Sequence, residues 1–122
     1  MHRVVHFDIS AEKPEQLTSF YETVFDWKFV KWDGPMEYWL IMTGNEDAPG
    51  IDGGLSRREA EKPSTVNTIA VPSIDEFAAK VREHGGTIVV PKRAIPGVGW
   101  TASFRDPEGN LFGMMQEDSN AQ

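Results

Sequence analysis

Thr65-Val66-Asn67-Thr68-Ile69-Ala70-Val71-Pro72-Ser73 is where the chain starts over. Its β-branched run from Thr65 to Val71 predicts a strand, and Ser73 stands where a helix N-cap belongs. Phe77, Val81 and the intervening alanines then recur at helical spacing, and His84-Gly85-Gly86 ends that helix. Strands are predicted over Thr87 to Val90, Gly99 to Arg105 and Leu111 to Gln116, the last entered through the turn Asp106-Pro107-Glu108-Gly109.

The N-terminal half reads the same way. Val4 to Ile9 predicts a strand, and Leu17, Phe20, Tyr21, Val24 and Phe25 give one apolar face to a helix over about 14–25. Trp27 to Trp32, Glu37 to Thr43 and the glycine-broken Ile51 to Leu55 supply three more strands. A repeat this long exceeds solenoid periods and predicts a duplicated half-domain. The expected architecture is α+β: two βαβββ modules, one over about 1–56 and one over about 64–117. A polar linker over about 57–63 joins them, and Glu117 to Gln122 reads as a frayed tail.

With 122 residues and 39% hydrophobic content, the chain has material for one domain. A net charge of −7 repels phosphate backbones and anionic lipid, so neither a nucleic acid nor a membrane is an expected partner. The absence of cysteine excludes disulfides, thiolate nucleophiles and Cys-ligated metals, and suits a cytoplasmic location. No apolar run approaches the length needed to span a bilayer, and no signal sequence is read at the N-terminus.

Four motifs in order, Val5-His6-Phe7-Asp8-Ile9, Phe20 to Trp27, Ala94 to Trp100 and Asp106 to Gly113, resemble the vicinal oxygen chelate superfamily of glyoxalases, bleomycin resistance proteins and extradiol dioxygenases. The resemblance covers nearly the whole chain. It implies paired modules curving into an incomplete barrel around a cleft, and in metal-using members a His or Glu on the first and last strand of each module. His6 matches the first of these positions. Thr68, laid under His6, the Gly53-Gly54 stretch and Gly113 occupy the other three without a usual ligand. The resemblance therefore implies a degenerate metal site with no cofactor, His6 being the one candidate ligand.

Asp8 lies two residues from His6 and shares its face, so the pair could form part of a shifted metal site or simply hydrogen-bond. His6 and Asp8 are the candidate catalytic residues. His6 stays open as a remnant ligand, a general acid or base, or a core histidine. Candidate ligand-binding residues are Trp39, Asn67, Thr68, Trp100 and Phe104: aromatics over a concave sheet with polar anchors between them. Of the adjacent Tyr38 and Trp39, one faces the cleft, and Trp39 is taken to be that one. Pro91 to Gly99 reads as a shaped loop over the pocket mouth or a rigid connection. Arg57-Arg58 reads as a solvated face, and His2 as solvated.

The function expected from these residues is binding of a small organic molecule in an apolar cleft by a two-fold homodimer, exposed sheet edges favouring the pairing. The alternatives are a metal-dependent lyase or isomerase resembling lactoylglutathione lyase, a ring-cleaving dioxygenase-like enzyme, and a non-catalytic subunit.

Overall fold

The computed structural model describes residues 2–59 and 64–122. The expected linker falls partly on residues 60–63, outside the described residues. Strand, helix and three strands occur twice: β1 (Val4–Ala11), α1 (Pro14–Phe25), β2 (Lys28–Lys31), β3 (Trp39–Met42) and β4 (Asp52–Arg57), then β5 (Thr65–Ala70), α2 (Ile74–Glu83), β6 (Thr87–Ile95), β7 (Gly99–Arg105) and β8 (Leu111–Glu117). The α+β reading holds. The chain divides into two compact units, residues 6–66 and residues 67–122 together with the N-terminal residues through Val5.

In the first unit the strand order is β2-β3-β4-β1, with β1 and β4 parallel and the other pairs antiparallel. Side chains alternate across a pleated strand, so the register decides which residues share a face. Phe29 lies opposite Ile41, Ile41 opposite Gly53, and Gly53 opposite Phe7. This row and the parallel one through Trp39, Leu55 and Ile9 face the core. Ala11, Trp39, Ile41 and Leu55 are buried there, with Phe7, Ile9, Leu17, Trp27 and Phe29 packed against them. Gly53 is required in that row, because a Cβ on it would stand 2.5 Å from the Phe7 carbonyl oxygen and 2.7 Å from the Phe7 ring.

α1 begins with Pro14 in its first turn, where a missing N–H costs nothing. It ends on Asp26, whose left-handed backbone (φ 60°) directs its N–H to the Glu22 carbonyl. Its predicted apolar face is only half used. Leu17 and Tyr21 are half-buried, whereas Phe20, Val24 and Phe25 are more than half exposed.

The second unit repeats the order as β5-β8-β7-β6, with β5 and β8 parallel. Its core is Val71, Ile74, Ala102 and Met114, backed by Ile69, Phe77, Ala78, Trp100 and Phe104. Ser73 caps α2 by accepting the Glu76 N–H at 3.1 Å, and the Gln116 side chain accepts the Ile74 N–H at 2.9 Å.

Two expectations on this half change. β6 continues past Val90 through Pro91 to Ile95, so that stretch is strand, and only residues 96–98 turn. Proline is tolerated because β6 lies at the end of the strand order and its register slips twice, between Ile88 and Val90 and between Val90 and Arg93. Glu117 to Gln122 is not frayed. Ala121 is buried and its carbonyl accepts the Gly97 N–H at 3.0 Å, while Asp118 donates its N–H to the Val98 carbonyl. His2 stays exposed as expected, its ring centroid 4.5 Å from that of Phe77.

Candidate functional site

His6 and Asp8 point away from the core, on the face opposite Phe7 and Ile9. A third residue joins them. The Tyr38 hydroxyl donates to Asp8 Oδ1 at 2.6 Å and lies 3.0 Å from His6 Nε2, which is itself 3.4 Å from Asp8 Oδ1. The ring is half-buried, while the His6 and Asp8 side chains keep 30% and 39% of their surface.

What brings Tyr38 in is a glycine. Asp8 faces Gly54 across the parallel β1–β4 pair, and a Cβ on Gly54 would fall 1.5 Å from the Tyr38 hydroxyl oxygen. The phenol occupies the space that a side chain at 54 would take. Two contacts aim it there: the Trp32 N–H donates to the Tyr38 carbonyl at 2.8 Å, and Glu37 is clamped by Arg57 at 2.9 Å. Trp32 stands edge-on to Tyr38 with ring centroids 6.1 Å apart.

Beside this polar group runs an apolar shelf. Val30 lies opposite Leu40 and Leu40 opposite Gly54, so they continue the Asp8–Gly54 row across the same face. Val30 is 50% and Leu40 40% exposed. The face is open rather than enclosed. Two shallow hollows, of about 280 and 320 Å³, lie on the Leu17 side of β1, and neither includes His6, Asp8 or Tyr38. Arg58 borders both and turns inward to the Ser10 carbonyl, while Arg57 bonds Glu37 and lies 3.6 Å from Glu15. Arg57 stays exposed as expected, and only Arg58 departs from the solvated face.

Burial, then the Asp8 carboxylate that accepts its proton, pushes the Tyr38 phenol well above its ordinary value. A group with a raised folded-state pKa contributes stability that is complete below the unfolded value and is lost as pH rises past it. Stability to urea should therefore fall above about pH 10, and Tyr38→Phe should flatten that part of the profile. An unchanged alkaline slope in the variant would show that the phenol is not held as described.

Among the remaining expected residues, Trp39 is buried in the first core at 8% exposure, opposite Leu55, with Lys31 Nζ 5.4 Å above its ring. It packs against the core instead of lining a pocket, and Tyr38 takes the open face. Asn67 is exposed and Thr68 is buried. Trp100 is half-buried, its indole N–H donating to Asp118 at 3.0 Å and its ring covered by Lys92. Phe104 packs on the second core and stacks on Phe112. The structure gathers His6 and Asp8 with Tyr38, and packs Trp39 into the first core and Trp100 and Phe104 against the second.

The equivalence of Thr68 with His6 also changes. In the second unit Thr68 faces Gly113, as Asp8 faces Gly54 in the first. Each pair is followed on its last strand by a buried core residue, Leu55 or Met114. Register therefore makes Asp8 the counterpart of Thr68. A Cβ on Gly113 would stand 3.0 Å from the Thr68 hydroxyl, so the last-strand glycine again faces a side chain from the first strand.

The donor sets do not fit a divalent metal of the glyoxalase type. In the first unit the last-strand position is filled by a phenol whose proton is committed to Asp8, and in the second the facing pair is a threonine and a glycine. Among the described residues no three His, Asp or Glu side chains gather into a possible metal site.

No curated protein matches the sequence. Among solved structures, the chain is similar to a hypothetical protein from Bacillus halodurans C-125, with 16% identity, TM-score 0.69, and 99% of this chain and 98% of that one covered. Methylmalonyl-CoA epimerase from Mycobacterium tuberculosis matches at 13% identity and TM-score 0.69, over 93% and 87% of the two chains. A Streptomyces coelicolor methylmalonyl-CoA epimerase variant in complex with 2-nitronate-propionyl-CoA matches at 14% and 0.67, over 98% and 97%. At such identities the likeness is one of fold. Residues 3–114 match the profile of the Glyoxalase/Bleomycin resistance protein/Dioxygenase superfamily, and with the strand, helix and three strands seen twice, the chain belongs to that superfamily.

Proposed function

We propose that this protein binds a small organic molecule on the open face of its first module, without a resident metal, using His6, Asp8 and Tyr38 as polar anchors. The observation that carries this reading is the Tyr38 phenol seated in the space left by Gly54 and bonded to Asp8 and His6, beside the exposed Val30 and Leu40. A few fixed polar groups next to apolar surface are the usual composition of a small-molecule site. A ligand with an apolar body and one polar end matches that arrangement. A lyase or isomerase of the glyoxalase type would need a carboxylate where Gly54 admits the phenol.

The pairing of copies belongs to the same proposal. Phe20, Val24 and Phe25 leave an apolar helix face open, and such patches mark association surfaces. A two-fold homodimer is expected by light scattering at micromolar concentration, and a monomer mass would remove it.

The test of binding is a screen of small aromatic and aliphatic metabolites by thermal shift and calorimetry, with metal chelator present. Hits should weaken about tenfold in Leu40→Asp, which places a charge on the shelf. A stoichiometric divalent ion retained by the purified protein and lost in His6→Ala would overturn the metal-free reading.

A further inference from the structure

We infer that the ligand end held by His6, Asp8 and Tyr38 is a cationic hydrogen-bond donor, an amine or amidinium. This inference rests on the proposed binding face and names the class of molecule it takes.

It follows from where the protons are. A phenol has one proton, and the shortest contact in the group, 2.6 Å, commits it to Asp8 Oδ1. The phenol oxygen can then only accept from its other neighbour, so His6 Nε2 carries a proton directed at Tyr38 and, at longer range, at Asp8. In the neutral ring this leaves the lone pair on Nδ1. No residue among the described ones bonds Nδ1 or Asp8 Oδ2.

The three residues therefore spend both of their donors on one another and present two acceptors to a ligand, one of them carboxylate oxygen. A carboxylate or phosphate would meet lone pairs and negative charge. An ammonium or amidinium would meet two acceptors and a countercharge. The chain's net charge of −7 adds a long-range field of the same sense.

The experiment compares benzamidine, benzyl alcohol and benzoate, probes of similar shape and different charge, by calorimetry and by amide shift changes around His6 and Tyr38 at low salt. Benzamidine should bind at least about tenfold more tightly than benzoate. Asp8→Asn, nearly isosteric, should remove that preference. Tyr38→Phe should keep it, because it leaves the carboxylate in place and frees Oδ1, so loss in Asp8→Asn alone separates the charge from a general disturbance of the site. Equal or tighter binding of benzoate at the same residues would overturn the cationic assignment while leaving the binding face standing. If no probe of any charge and no member of the metabolite screen binds this face, the proposed function falls with it.

Discussion

Gly54→Val should expel Tyr38 from its seat. The new Cβ falls 1.5 Å from the phenol oxygen and 2.0 Å from Cζ, separations no rotamer change at 54 relieves, because Cβ is fixed by the backbone. The ring must swing out, giving up its bonds to Asp8 and His6, or β4 must move away from β1. Overpacking costs about 1–3 kcal/mol, and a half-buried polar pair left unmade adds about 1–3 kcal/mol. Urea denaturation should register the sum as a lower midpoint. Alkaline difference absorbance should show a phenol freed from Asp8 and ionising closer to its ordinary range. Gly54→Ala already places the offending atom, so it should show the same titration change. In a Tyr38→Ala background the alanine meets no ring, and its cost should drop sharply. A Gly54→Ala protein with unchanged midpoint and unchanged tyrosine titration would remove the explanation given for this glycine.

Leu55→Ala and Ile41→Ala should each destabilise the fold by about 2–5 kcal/mol. Both side chains have no accessible surface and lie in the same small cluster with Trp39 and Ala11, where the three carbons lost leave a void that the pleated strands cannot close. Against a total stability of about 5–15 kcal/mol, either change removes a large share. Phe20→Ala removes a larger side chain yet, in protein dilute enough to be monomeric, should shift stability by no more than about 0.5 kcal/mol, since that ring is more than half exposed in the single chain. If Phe20→Ala proves as costly as Leu55→Ala, α1 has a partner that covers it, and comparison of dilute and concentrated protein would reveal it.

Much of this was legible in the residues alone. Helical periodicity between Leu17 and Phe25 gave α1 its bounds, and the return of a β-branched run at Thr65 showed the duplication. What periodicity cannot do is say which of two faces is the inner one. Tyr38 and Trp39 necessarily point opposite ways, but only the pairing of Trp39 with Leu55 shows that the indole goes inward. A signal for Tyr38 was present in Gly54, since a glycine inside a strand often marks the close approach of another group. Read only as a missing ligand, it hid the residue that had taken the space. The match of Thr68 to His6 failed for a related reason. Asp8 and Thr68 stand equally far before the first residues of their helices, Pro14 and Ile74, so matching Thr68 to His6 by motif similarity slips one same-face step along the pleat, and strand register corrects it. Pro91 argued against a strand by its missing N–H, an objection that loses force at the end of a strand order.

The parallel pairing of β1 with β4 also sets an order of events in time. His6 and Asp8 emerge from the ribosome early, yet the strand that completes their surroundings is the last of the module, and the intervening helix and hairpin must form or wait before that long-range pairing closes. Until then the side of β1 that takes β4 is unpaired and the tyrosine has no seat. The change in Tyr38 absorbance as its ring is seated should thus report, during refolding, when β4 closes on β1.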